Sequence, residues 1–311
     1  MAPYPQTGHP VDLRFASVDC LFFVIGAQKA GTTWLSHYLK VHPDISVPEW
    51  KEHDYWNMVE GRPQPSRMLK RQAERRTQDG PMRRLGALLP FTLHAKRQKA
   101  ITLALRAVEA PYPPYSAYAD VIMENVTRKT RAAGEICPEY ALLQSETYAK
   151  MSALSPNVRF VFLMRDPVAR FISGAQHTIR KSLGKAAETS EQVSEALRRF
   201  VNQPGSRHVA LSRYDQTIQA LEAAVPPSNI LYVFFEELFN QEKVRSICDF
   251  LGISFVEGAV ERRANSAGGK VVVTQQDRKL IAHALAPTYA FMRARYGDAL
   301  PKRWQASEAL C

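Results

Sequence analysis

The stretch LFFVIGAQKAGTTW, residues 21–34, runs an apolar segment straight into a loop bounded by Gly26 and Gly31, and then into a helical pattern. A strand, a glycine-bounded loop and a helix in that order make a phosphate cradle, because backbone N–H groups and the helix N-terminus converge on one anion. A Walker A loop, G-x-x-x-x-G-K-[ST], sets its lysine directly after the second glycine, where it reaches the β/γ-phosphates, and its hydroxyl on Mg²⁺. Here Gly26 and Gly31 keep the glycine spacing, Thr32 occupies the lysine position, and the loop's lysine is Lys29. The cradle survives this change, but the device for a nucleoside triphosphate does not. Lys29 is placed to neutralise a 5′-phosphate from which a leaving group departs.

Working outward, four apolar runs read as strands: Leu21–Ile25, Ile45–Val47, Val158–Met164 and Ile230–Phe235, with Gly134–Ile136 the end of another. Val158–Met164 and Ile230–Phe235 are continuously apolar, which fits strands of a parallel sheet covered on both faces. Helical patterns over Thr33–Val41, 116–133, 143–154, 168–182, 188–203, 207–224, 237–251 and 275–297 alternate with them. The expected fold is therefore α/β: a P-loop-like central parallel sheet flanked by helices. The chain is read as one domain, residues 1–311, with a helical insertion or lid at about 60–115, where prolines bracket a segment without strand pattern.

Composition narrows the class. The net charge is +11, and Glu60 to Arg106 alone carries twelve Lys/Arg against three Asp/Glu. That run reads equally as a solvated helical face or as a collar for an anionic ligand. Its single aromatic, Phe91, argues against a nucleic-acid stacking platform. Four widely spaced cysteines with no C-x-x-C pair, and histidines without ligand spacing, point away from disulfides and from a metal site. The N-terminal MAPYPQTGHPVDLRF lacks the basic and apolar regions of a secretory leader, and no apolar run approaches membrane-span length, so a cytoplasmic location is expected.

Two further motifs carry chemistry. RFVFLMRDPVARFISGAQH, residues 159–177, sets Arg165 at the carboxyl end of a strand and Ser173 on the next helix. Ligands of open α/β sheets bind at the carboxyl ends of the strands, so Arg165 and the 26–33 loop should face one crevice and Arg165 with Ser173 should hold a second phosphate. Taken alone, Arg165 could instead pair with Asp166. PEWKEHDYW, residues 48–56, sets Glu52 among aromatics, where a carboxylate pKa rises toward the range of a general base. A surface Lys51–Glu52 pair is the alternative there, and His53 is the competing base.

Together these motifs resemble the sulfotransferases that use 3′-phosphoadenosine-5′-phosphosulfate (PAPS), nearest the heparan-sulfate-type and bacterial carbohydrate-type branch. Gln28, Lys29, Ala30, Gly31, Thr32, Thr33 and Trp34 match that family's 5′-phosphosulfate loop, and Arg165 with Ser173 its 3′-phosphate pair. Lys51-Glu52 matches its Lys-Glu step. Gly134-Glu135-Ile136-Cys137-Pro138-Glu139-Tyr140 is similar to the G-E-x-[ST]-P-x-Y segment of its acceptor cleft, with Cys137 replacing the hydroxyl residue. Arg213-Tyr214 and Phe235-Glu236-Glu237-Leu238 fit later landmarks, and the loop that closes over the 3′-phosphate is best matched by 261–270, with Arg263, Asn265 and Lys270.

The resemblance implies metal-independent sulfuryl transfer from PAPS to a hydroxyl or amine of a carbohydrate, glycolipid or small molecule. Lys29 and Glu52 or His53 would be catalytic, and Lys51, Glu52, Glu135, Tyr140 and Tyr214 would bind the acceptor. The basic segment suits an acidic saccharide or an anionic lipid head group. A P-loop small-molecule kinase and a non-enzymatic anion or nucleic-acid binder are the rival readings. The absent Walker lysine opposes the kinase.

Overall fold

Five parallel strands form the centre of the molecule, in the order β2-β3-β1-β4-β5. They are β1 (Cys20–Gly26), β2 (Ile45–Ser46), β3 (Ala132–Ile136), β4 (Val158–Met164) and β5 (Ile230–Phe234). The structure is a computed structural model, and it describes residues 11–49, 51–62, 93–183, 189–261 and 273–311. Every residue of β1 and β3 is buried, as the apolar run of β1 requires of a strand covered on both faces. The expected α/β architecture is the observed one. β1 leads leftward to edge strand β2 while β4 leads rightward to β5, so the crevice between the carboxyl ends of β1 and β4 is the natural ligand position.

Helices cover both faces. In chain order they are α1 (Thr32–Val41), α2 (Tyr55–Val59), α3 (Leu93–Glu109), α4 (Ser116–Ile122), α5 (Ser145–Ser152), α6 (Pro167–Leu183), α7 (Ser190–Asn202), α8 (Arg207–Ala210), α9 (Tyr214–Glu222), α10 (Gln241–Leu251), α11 (Gln275–Ala284), α12 (Ala286–Tyr296) and α13 (Lys302–Glu308). α6 starts where its sequence says it must: the Asp166 carboxylate accepts the Ala169 N–H at 2.8 Å, and Pro167 occupies the first turn, where its missing N–H costs nothing. Of the segment 60–115, the structure describes 60–62 and, from the start of α3, 93–115; residues 63–92, most of the basic run, lie outside the described residues.

One expected helix stops well short of its pattern, two break within theirs, and the 237–251 pattern becomes helical only at Gln241. The 116–133 pattern ends at Ile122, and a Thr127–Thr130 turn, closed by the Thr127 N–H on Thr130 Oγ1, feeds β3. The 275–297 pattern divides at Leu285, because Pro287 cannot donate to the preceding turn. The 207–224 pattern breaks at 211–213, where Ser212 Oγ donates to the His208 carbonyl, and a new helix starts at Tyr214.

Gly134 shows how tightly β3 is set between its neighbours. It pairs with Phe22, and a Cβ added there would land on the Phe22 carbonyl oxygen. Gly134→Ala is therefore expected to destabilise the fold by about 3 kcal/mol, at the upper end of overpacking costs. Urea unfolding would register this as a lower midpoint with unchanged slope.

Candidate active site

The loop after β1 is set by two residues at positive φ, Lys29 at 71° and Gly31 at 93°. Gly31 is the N-cap of α1, and a Cβ there would sit 2.5 Å from Leu238 Cδ2, so a larger residue is refused on both grounds. Glycine also offers no side chain to cap the helix. The first-turn N–H groups of Thr32, Thr33 and Trp34 have no intrahelical partners and remain for an outside acceptor. Lys29 is strained in that region, and its carbonyl is held by Arg165, whose Nη1 donates to it at 3.1 Å.

Arg165 follows the last residue of β4 and is fixed from several directions. The Tyr214 hydroxyl donates to its carbonyl at 2.8 Å, and its guanidinium lies 4.8 Å from the centroid of the Phe235 ring. Asp166 is occupied elsewhere, taking the Ala169 N–H and, at 2.6 Å, the Tyr289 hydroxyl. Arg165 Nε is buried with no hydrogen-bond partner among the described residues. One turn into α6, Arg170 is fully buried. Its Nη2 donates to the His208 carbonyl at 2.9 Å, while Nε and Nη1 are likewise without partners. Ser173, half-buried, lies one helical turn beyond Arg170 on the same face.

The electrostatics of this end are one-sided. Burial lowers the Lys29 pKa, and Arg180, Arg165 and Arg170 lower it further, with Glu52 opposing. Burial also lowers Arg165 and draws Arg170 down to about 10. His208 falls to about 4 through burial and the nearby Arg170 and Arg207 charges. Buried cations with unfilled donors thus gather beside a helix N-terminus that has no side-chain cap.

Across the crevice the charge reverses. Lys51 Nζ approaches the Thr32 carbonyl at 3.5 Å and Glu52 Oε1 at 3.8 Å, which ties the 51–54 segment to the start of α1. Burial raises the Glu52 pKa, Lys51 lowers it, and Glu139 raises it again. His53 is buried, with Nδ1 3.1 Å from Glu135 Oε2, while Glu135 Oε1 accepts the Tyr118 hydroxyl and, at 2.8 Å, the Tyr140 hydroxyl. Glu139 bridges the two sides: Gln28 Nε2 donates to it at 3.2 Å, and Arg207 grips it with two nitrogens.

Comparisons with known proteins meet this geometry. The sulfotransferase family profile matches residues 22–257. The chain belongs to the sulfotransferase family. Among solved structures, a sulfotransferase from Alicyclobacillus acidocaldarius aligns with a TM-score of 0.57 at 21% identity, over 88% of this chain and 94% of that one. The sulfotransferase domain of the Synechococcus PCC 7002 olefin synthase aligns at 0.48 and 16% identity, over 90% and 98%. No curated protein matches the sequence. At 21% identity, the likeness to the Alicyclobacillus acidocaldarius protein shows the fold alone.

Within the sulfotransferase, Gln28 to Thr33, Arg165 and Lys51 to His53 are drawn around one crevice. The Trp34 ring turns from the loop to pack on Tyr38, Phe239 and Gly258, and its indole N–H donates to the Ala259 carbonyl at 3.1 Å. Tyr140 and Tyr214 are fully buried, and their hydroxyls are spent on Glu135 and the Arg165 carbonyl. Arg263, Asn265 and Lys270 lie outside the described residues. Sequence reasoning passed over Arg170, three residues before Ser173 in R-D-P-V-A-R-F-I-S, where a turn of helix was the available signal. It also passed over Glu139 and Arg207, which only the tertiary fold unites.

Asp54 supplies a stability test. Burial raises its pKa to about 7, Cys137 Sγ donates to Oδ1 at 3.1 Å and opposes the rise, and Glu139, Glu52 and Glu135 add to it. Between pH 4 and pH 7 the native state therefore binds more protons here than the unfolded chain, so this group's contribution falls as pH rises through that window. Asp54→Asn should remove the penalty, stabilising the protein at pH 8 by on the order of 1–2 kcal/mol and by little at pH 4. Denaturant titrations of both proteins at the two pH values measure the difference.

Proposed function

We propose that this sulfotransferase moves the sulfuryl group of PAPS onto a hydroxyl or amine of a carbohydrate, glycolipid or small-molecule acceptor. The observation that carries the reading is the cation set Lys29, Arg165 and Arg170 with its unfilled donors, beside the uncapped start of α1. A donor with two separated phosphates suits that arrangement. Its 5′-phosphate would be held by the N–H groups and hydroxyls of Thr32 and Thr33, with Gln28, Ala30 and Gly31 shaping the loop. Its 3′-phosphate would be held by Arg165 and Ser173, and binding energy gathered there orients the reacting centre.

In the reaction the acceptor oxygen or nitrogen attacks sulfur, and the bond between sulfur and the 5′-phosphate oxygen breaks. 3′-phosphoadenosine-5′-phosphate departs, and the acceptor proton passes to Glu52. Lys29 stabilises the charge growing on the leaving oxygen, as fixed cations do at developing anions. Glu52 suits the base role because burial raises its pKa while 40% of its side-chain surface remains open to an acceptor. Tyr214 acts through Arg165, and Tyr140 through Glu135 and His53. Lys51 holds the Glu52 segment against α1.

Lys29→Ala and Glu52→Gln are each expected to lower kcat by roughly 10²- to 10⁴-fold. Near-normal turnover in Glu52→Gln would move the base assignment to His53. Arg165→Ala should abolish the rise in melting temperature that 3′-phosphoadenosine-5′-phosphate gives the parent protein. An undiminished rise would overturn the 3′-phosphate assignment. Mg²⁺-dependent ATP turnover without PAPS turnover would restore the kinase reading.

A further inference from the structure

α13 lies beyond residues 22–257, the part of the chain that the sulfotransferase profile matches, and Trp304 is the side chain it buries. The Trp304 ring is fully buried, tilted against Tyr214 with centroids 5.8 Å apart and edge-on to Phe234 at 5.3 Å. A buried indole N–H needs an acceptor, and this one donates to Glu236 Oε2 at 3.1 Å. A helix outside the matched region thus reaches the carboxyl end of β5 and the start of α9.

Tyr214 and Glu236, both in contact with Trp304, hold the two ends of one peptide group. The Tyr214 hydroxyl donates to the Arg165 carbonyl at 2.8 Å, and the Asp166 N–H donates to Glu236 Oε1 at 3.3 Å. That carbonyl and that N–H belong to the peptide linking Arg165 to Asp166. A planar peptide clamped at both ends fixes ψ of Arg165, and with it the course of the chain from β4 into α6. From that anchor Arg165 Nη1 reaches the Lys29 carbonyl at 3.1 Å, and Nε has no partner among the described residues.

Glu236 also lends charge without contact. Burial and the exposed Arg303 lower the Arg165 pKa, and Glu236 is the leading group that opposes them. Its two oxygens meanwhile take the Asp166 and Trp304 N–H groups, so the guanidinium keeps its donors for a ligand. Burial raises the Glu236 pKa, and the Trp304 hydrogen bond leads the contacts that hold it down. Resting on the PAPS reading above, we propose that Trp304 is a positioning residue for the donor: through Glu236 and Tyr214 it fixes the Arg165–Asp166 peptide, and so sets the affinity for the 3′-phosphate. It acts from behind the site.

Trp304→Phe keeps a ring against Tyr214 and Phe234 and removes the N–H. Titration calorimetry of the full chain compares 3′-phosphoadenosine-5′-phosphate with adenosine 5′-phosphate, which lacks the 3′-phosphate. The variant should lose about ten-fold in affinity for the first and about two-fold or less for the second. KM for PAPS should rise by about the same ten-fold factor while kcat changes by about two-fold or less. Equal losses for both nucleotides would mean a merely structural role and overturn the proposal, as would no loss for either. Glu236→Gln should show the same selective loss, and it decides the matter if Trp304→Phe does not fold. Adding Trp304→Phe to Glu236→Gln should then cost about two-fold or less, because the two act as a unit; full additivity would count against that link and overturn the proposal. A parent protein that binds both nucleotides equally defeats the 3′-phosphate assignment and this inference with it. A parent that prefers the 3′-phosphate, beside a Trp304→Phe variant that keeps the whole preference, defeats this inference alone.

Discussion

Lys29, Arg165 and Arg170 are brought out of water at the carboxyl ends of β1 and β4, and among the described residues no carboxylate lies in hydrogen-bond contact with any of the three. Like charges in a poorly solvated site repel strongly, and unfilled guanidinium donors add their own desolvation cost. Much of the surrounding fold exists to withstand that cost. The Lys29 carbonyl and the Phe235 ring hold the Arg165 guanidinium, and Tyr214 holds its backbone. Tyr214 reaches that position because the 207–224 pattern breaks and restarts a helix there. Behind it, Glu236 accepts the Asp166 N–H and the indole N–H of Trp304 from α13, so the C-terminal helix braces the same strand end.

This arrangement explains which parts of the molecule could be read directly. The strands were legible because a buried parallel sheet demands continuous apolar runs, and β4 matches its expected bounds of Val158–Met164. The turn after β1 was legible because a glycine at positive φ and an uncapped helix start are local properties. Helix ends were less so. Pro287 divides α11 from α12 by a local rule, whereas the break before Tyr214 depends on the partners it meets in the tertiary fold. Arg170 is the instructive omission: an arginine on a helix reads as solvated until the fold buries it under His208.

The acidic side of the crevice was legible in place but not in character. Lys51, Glu52 and His53 were found from their setting in sequence. That His53 faces Glu135 across 82 positions, with two tyrosines supporting the carboxylate, is a product of β3 lying beside β1. Likewise the +11 charge of the chain says little about this wall, where Glu52, Asp54, Glu135 and Glu139 raise one another's proton affinity or that of their neighbours. Net charge describes a long-range field, and the character of one crevice wall is decided at hydrogen-bond distance.

The two sides are joined at Glu139. Its carboxylate takes Gln28 of the loop after β1 and Arg207 of α8, and its charge is felt at Glu52, Asp54 and Arg170. An anion filling the cation side would relieve the repulsion among Lys29, Arg165 and Arg170, and would add negative charge close to Glu52. A carboxylate approached by negative charge binds its proton more tightly. In the proposed reaction, donor binding would therefore raise the basicity of Glu52 before any acceptor proton is transferred. The base would be strongest when the sulfuryl group is in place, which follows from setting an acidic wall against a cationic one across a single crevice.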